Sequence, residues 1–185
     1  MSKTALVILH EGFEEMEAVA PIDILRRGDV SVTVASLSKE TLVTGRNNIA
    51  ITADTDLDQA LSRDYDVIVL PGGPGVNESL RQDTRVRKAL AHQVSIGGLV
   101  AAICAAPLAI LDAGLLTGKA FTSHPTTAEE LPERHPSAPV VTDGQFITSQ
   151  GAGTATAFSL EVLTRLTSAE VARMVAASIC LSAPQ

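Results

Sequence analysis

The chain has 185 residues, a formal net charge of −7, 45% hydrophobic and 19% charged residues. That length and balance fit one folded domain, residues 1–185, with a sizeable core. The acidity argues against a nucleic-acid or anionic-membrane surface, and no apolar run reaches the roughly 18 residues of a transmembrane helix.

Aromatic residues are only 3% of the chain, so the core must rest on Ala, Val, Leu and Ile. Met1-Ser2-Lys3-Thr4 passes straight into the apolar run Ala5-Leu6-Val7-Ile8-Leu9, which is too short for a signal peptide's apolar region and leads directly into Glu11-Gly12. The run has strand length. Residues 14–27 follow as a helix-like stretch closed by Gly28. Pro21 lies inside it, and proline is best tolerated in a first turn, so the regular helix is predicted to start near Ala18, with Glu17 at its entrance. Residues 30–37 alternate apolar with Ser and Thr. Leu42-Val43 with Ile49-Ala50-Ile51 reads as a hairpin.

Asp66-Val67-Ile68-Val69-Leu70 is another short run, stopped by Pro71-Gly72-Gly73-Pro74. A helix is predicted over 84–94, then the run Leu99-Val100-Ala101-Ala102-Ile103, then a helix over 105–112 with Pro107 in its first turn. Phe121-Thr122-Ser123 is a short strand candidate, and Val140-Val141 with Phe146-Ile147 a second hairpin across Asp143-Gly144. Helices over 152–166 and 169–181 end the chain, the last capped by Ser168. Runs apolar on both faces, alternating with helices, predict a doubly wound, flavodoxin-like α/β fold: a mostly parallel sheet with helices on both faces.

Ligands in such folds sit at the carboxyl ends of the strands. Cys104 follows one strand end and precedes a helix. Ala102 and Ala106 supply the small residues that a nucleophile elbow needs two positions to either side. A helix start there favours thiolate, and sites of this type bring a cysteine well below its free pKa of roughly 8.5. For an arbitrary cysteine a core role is favoured by about two to one; these features together reverse those odds. Cys180, in an apolar helical pattern with Val171, Val175 and Ile179, reads as packing or interface. Pro71-Gly72-Gly73-Pro74 reads equally as a tight turn or as a loop whose N–H groups, with that of Ala105, form an oxyanion hole. It is no phosphate loop, since no Gly-Lys-Ser/Thr follows.

A thiolate nucleophile needs a nearby acid or base. Of the four histidines, His92 and His135 read as solvated, while His10 and His124 stand tied as candidates to face the site. The acids Glu11, Glu14, Glu15 and Glu17 follow the first strand, and nothing local tells which turns inward. Two widely spaced cysteines make no disulfide framework, which points to a reducing, cytoplasmic setting. Metal-ligand spacing and nucleotide fingerprints are absent.

Several segments in order resemble the ThiJ/PfpI superfamily, in the branch that holds the parkinsonism-associated protein deglycase and bacterial YajL. They are Ala5-Leu6-Val7-Ile8-Leu9, Glu14-Glu15-Met16-Glu17-Ala18-Val19, Tyr65-Asp66-Val67-Ile68-Val69-Leu70-Pro71-Gly72-Gly73, Ala101-Ala102-Ile103-Cys104-Ala105-Ala106-Pro107 and Thr148-Ser149-Gln150-Gly151-Ala152-Gly153-Thr154. The resemblance implies that Cys104 is the reactive cysteine. Glu17 is then the glutamate whose protonated carboxyl meets the sulfur, His124 the site histidine, and Gly73 and Ala105 the oxyanion-hole backbone. It implies a homodimer with the site near the interface; from the residues themselves no cofactor and no metal are expected. Ala105 stands where protease-like members carry histidine, which argues against peptidase activity, and the late His-x-Glu of glutamine amidotransferases is missing.

Three functions are compatible with these residues. The first is a glutathione-independent glyoxalase or deglycase acting on methylglyoxal-like dicarbonyls or glycated adducts. The second is a non-enzymatic oxidative-stress sensor or redox-regulated chaperone that works by oxidation of Cys104. The third is a cysteine hydrolase for small amides or esters.

Overall fold

The computed structural model describes residues 2–181. In chain order the regular elements are β1 (Thr4–Leu9), α1 (Glu15–Arg27), β2 (Ser31–Ser36), β3 (Leu42–Thr44), β4 (Ala50–Thr52), β5 (Thr55–Asp56), α2 (Leu57–Ala60) and β6 (Val67–Leu70). They continue with α3 (Gly75–Glu78), α4 (Thr84–Ser95), β7 (Leu99–Ile103), α5 (Pro107–Asp112), β8 (Val140–Asp143), β9 (Phe146–Ser149), α6 (Ala155–Leu166) and α7 (Ala169–Ser178). Seven strands form one sheet in the order β5-β2-β1-β6-β7-β9-β8, while β3 and β4 make a separate hairpin. Every pairing in the large sheet is parallel except that of β8 with β9 at one edge. This is the doubly wound, flavodoxin-like α/β arrangement that the alternation predicts.

Strand side chains alternate between faces, so one apolar run serves two cores. Leu6, Ile8, Ile68, Leu70, Val100 and Ala102 pack with Leu57, Leu90 and Leu108 from α2, α4 and α5. Val7, Leu9, Val69, Ala101 and Ile103 pack on the other face with Leu25, Phe158 and Leu163 from α1 and α6. The chain crosses from one side of β1 to the other between β2 and β6. The carboxyl ends of β1 and β6, neighbours in the sheet, therefore open a crevice at a topological switch point. Among the described residues no helix is long and apolar enough to cross a membrane.

Five expectations are corrected. Helix α1 starts at Glu15, not near Ala18, because the Glu14 side chain caps it by accepting the Glu17 N–H at 2.9 Å. Pro21 consequently sits in the second turn, where it cannot donate to the Glu17 carbonyl. The helix predicted over 105–112 begins only at Pro107, since Cys104 takes a left-handed φ of 64°. The stretch 152–166 opens as a 3₁₀ turn before α6, and α7 stops at Ser178. Finally, Phe121-Thr122-Ser123 forms no strand. Strand β9 already occupies the open edge of β7, so this segment satisfies its backbone elsewhere: the Thr122 N–H reaches Thr148 Oγ1 at 2.9 Å.

Candidate functional site

Cys104 is half-buried between β7 and α5. Its backbone is held on both sides: the N–H donates to the Ser149 carbonyl at 2.9 Å, and its carbonyl accepts from His124 N–H at 2.9 Å. Ala102 and Ala106 are fully buried, so the elbow leaves no room for larger side chains there. A non-glycine residue at this φ is uncommon, and it is held here by surroundings that over-determine it.

The loop after β6 closes over the sulfur. A Cβ at Gly72 would stand 2.5 Å from the Cys104 Cβ and 2.6 Å from Glu17 Oε2, so only glycine fits between them. Gly73 adopts φ 108°, in the region that favours glycine. The backbone N–H groups of Gly73 and Ala105 both act on the Cys104 sulfur and pull its pKa down. The structure thus brings the two residues expected to form an oxyanion hole to one atom.

Glu17 is 1% exposed. Its Oε2 accepts the Gly72 N–H at 2.9 Å. In a capping box the acid three residues after the cap turns back to the cap's own N–H. Here the Glu14 N–H is taken by the Gly72 carbonyl at 2.9 Å, which leaves Glu17 to turn into the crevice. Burial and the charge of Glu14 raise its pKa to about 7, against the Gly72 N–H, the neighbouring Cys104 and Arg46. Burial and then the charge of Glu17 push the Cys104 thiol up to about 12, against Gly73 and Ala105.

A thiol drawn well below neutrality by a helix start is therefore not what stands beside an ionised Glu17. Helix α5 begins two residues later than that expectation requires. The two groups titrate as a pair whose first proton leaves near 7 and which then carries one negative charge. Because Oε2 accepts from the Gly72 N–H, a proton on Glu17 belongs on Oε1.

The acidic run divides its work. Glu11 and Glu15 fasten the β3–β4 hairpin, accepting from the backbone N–H groups of Thr44 and Asn47. Glu14 caps α1, and Glu17 alone meets Cys104. The two candidate histidines differ in position. His124 is half-buried beside the elbow: its Cδ2 lies 3.4 Å and Glu17 Oε1 3.8 Å from where a Cβ of Gly151 would stand. Its Nδ1 accepts the Thr126 N–H at 3.2 Å, so in the neutral ring Nε2 carries the proton. His10 is buried behind the Pro71 peptide, with Nε2 3.4 Å from the Pro71 carbonyl. His92 and His135 are exposed, and Cys180 is exposed at the end of α7.

Sequence reasoning did not find Glu14 as the cap of α1, Gly72 as the donor to Glu17, or Ser149 as the acceptor from the Cys104 N–H. The spacing of Glu14 and Glu17, as cap and third helical residue, was the available signal for the first. Among the described residues no group of three or more His, Cys, Asp or Glu side chains could hold a metal ion.

The DJ-1/PfpI family model matches residues 3–165. Protein DJ-1alpha of Drosophila melanogaster is 45% identical over 179 residues, covering 95% of this chain and 82% of the relative. The glutathione-independent glyoxalase DJR-1.2 of Caenorhabditis elegans is 32% identical over 184 residues, covering 97% of each. The crystal structure of Drosophila melanogaster DJ-1beta superposes with a TM-score of 0.95 at 40% identity, over 99% of this chain and 100% of that one. The chain belongs to the DJ-1/PfpI family.

Proposed function

We propose that this DJ-1/PfpI protein acts as one domain that converts methylglyoxal-like dicarbonyls to hydroxy acids without glutathione, using Cys104 as nucleophile. The observation that carries the reading is the pairing of half-buried Cys104 with buried Glu17 beneath the Gly73 and Ala105 N–H groups. A relative named as a glutathione-independent glyoxalase supports it.

In the singly charged pair, thiolate beside protonated Glu17 is the reactive arrangement. The sulfur adds to the aldehyde carbon, and the developing alkoxide is met by the two backbone N–H groups and takes the Glu17 proton. The Glu17 carboxylate then removes the proton from that carbon, and the resulting enediol is reprotonated at the neighbouring carbon. His124 Nε2–H serves the ketone oxygen through this transfer. The product is a thioester of Cys104, which water cleaves to the hydroxy acid. Methylglyoxal and one water thus give lactate, with no net oxidation. On an early glycation adduct the sulfur would displace the amine from the aminocarbinol carbon, the amine leaving with the thiol's proton, and the same isomerisation and hydrolysis would follow.

The reading places the protein in the cytoplasm as a homodimer. Met16 (59% exposed) and Val19 (47%) on α1, with Ala20, Ile24 and Ala155 nearby, offer an apolar face for the second copy.

The test is lactate formation from methylglyoxal by the purified protein beside Cys104→Ala, Glu17→Gln and His124→Ala. Turnover lost in the first and reduced in the other two supports the enzyme. No turnover, with Cys104 oxidising to the sulfinate under mild peroxide, overturns it in favour of a redox-responsive protein.

A further inference from the structure

His10 is a buried titratable side chain near the crevice that the chemistry above does not use. It is 1% exposed and ends β1, in the sheet next to β6. Its ring lies between two carbonyls: Nδ1 is 3.1 Å from that of Glu11, and Nε2 is 3.4 Å from that of Pro71. A neutral imidazole can donate to only one. Glu11 is an exposed residue, and its carbonyl lies against the Gly75 backbone. Pro71 is buried, and among the described residues its carbonyl has no hydrogen-bond donor but His10. With the proton on Nε2 the buried Pro71 carbonyl is met, and the variants below test that placement.

The Pro71 carbonyl and the Gly72 N–H are two ends of one peptide plane. One end faces His10; the other donates to Glu17 Oε2 at 2.9 Å. Hydrogen bonds in series polarise one another, and a peptide held at its carbonyl cannot rotate its N–H away. We propose that His10 is a positioning residue for Glu17, acting through the Pro71–Gly72 peptide: it fixes that plane and strengthens its N–H as a donor to the carboxylate. This rests on the reading of Cys104 and Glu17 as a coupled pair. The charged groups that bear on the His10 ring are Glu11 on its own segment and Glu78 on α3, and Asp83 and Arg85 line the cleft on its outer side.

The two side-chain amides separate the ring's two nitrogens. His10→Gln places its N–H₂ near the position of Nε2, and His10→Asn near that of Nδ1. The experiment follows iodoacetamide alkylation of Cys104 against pH in wild type, His10→Gln, His10→Asn, His10→Ala and Glu17→Gln, with a thermal melt of each. Weakening the Gly72 donor leaves the carboxylate less stabilised, so the pair gives up its first proton at higher pH. The expected result is an upward shift of the alkylation midpoint by about half a pH unit, roughly threefold in proton affinity, in His10→Asn and His10→Ala. His10→Gln should keep the wild-type midpoint whatever its melting temperature. Equal midpoints in Gln and Asn, shifted or unshifted, overturn the proposal while leaving the pair intact. A midpoint that Glu17→Gln fails to move overturns the pair itself, and the proposal with it.

Discussion

The chain carries two cysteines, and both have left-handed backbones, φ 64° at Cys104 and 58° at Cys180. At Cys180 that conformation ends a helix: its N–H returns to the Ala177 carbonyl at 3.0 Å, and the Leu181 N–H to that of Ala176 at 2.9 Å. Glycine does the same at many helix ends. At Cys104 the same φ turns a buried strand into a helix and presents the sulfur to two N–H groups and a buried glutamate. An unusual φ therefore marks a site only when what surrounds the side chain has a use for it. Substitutions can test each side of that contrast.

Removing the sulfur is the most severe. Cys104→Ala keeps the small volume and the φ but deletes the nucleophile, and turnover of methylglyoxal should fall on the order of a thousandfold or more. Cys180→Ala, assayed in parallel, should leave turnover unchanged. Loss of activity in both would erase the distinction between the two positions.

Gly72→Ala attacks the surroundings and leaves the sulfur in place. The added Cβ meets the Cys104 Cβ at 2.5 Å, Glu17 Oε2 at 2.6 Å and the Ile103 carbonyl at 3.0 Å. The Cys104 Cβ and the Ile103 carbonyl cannot swing aside, and Glu17 Oε2 is held by the Gly72 N–H itself, so the loop must move. Displacement of about 1 Å is enough for roughly a hundredfold loss in turnover, and the crowding should cost about 1–3 kcal/mol in urea denaturation. Wild-type kinetics in this variant would mean that the enclosure of Cys104 is unimportant.

Much of this arrangement is legible in the sequence, and the reason is burial. Strands β1, β6 and β7 are apolar on both faces, so their runs stand out without help from periodicity. The elbow is readable because its neighbours, Ala102 and Ala106, must be small. The entrance of α1 is not readable in the same way. A rule about proline moved its start to Ala18, whereas the Glu14 cap fixes it at Glu15 and puts Glu17 in the first turn. Which of four acids faces inward depends on the β3–β4 hairpin, which claims Glu11 and Glu15 from a distant part of the chain. Only the resemblance to a family singled out Glu17 and His124. The peptide between Pro71 and Gly72, with a histidine on one side and a glutamate on the other, is a tertiary feature with no local signal.

Glu17→Gln tests the electrostatic part of the enclosure. Burial raises the Glu17 pKa from 4.5 to about 7, so the native state holds this proton more tightly than the unfolded chain does. The stabilisation is complete below about 4.5 and is lost as pH rises towards 7. Relative to Glu17→Gln, wild type should therefore lose about 2 kcal/mol of stability between pH 5 and pH 8 in denaturant titrations. A pH-independent difference between the two proteins would place Glu17 in an ordinary solvated environment.

The smallest effect belongs to the other cysteine. Cys180 is exposed, and its left-handed φ carries a steric cost of roughly 1–2 kcal/mol that glycine does not incur. The wider freedom of glycine in the unfolded chain returns part of that gain. Cys180→Gly should accordingly stabilise the protein by about 0.5–1 kcal/mol, read as a higher urea midpoint at unchanged slope, with kcat and KM as in wild type. At Cys104 the same replacement would also relax the backbone, yet it would remove the only group that makes the conformation useful. A Cys180→Gly variant that is less stable than wild type would show that this thiol has a partner of its own, and the two left-handed cysteines would no longer be opposites.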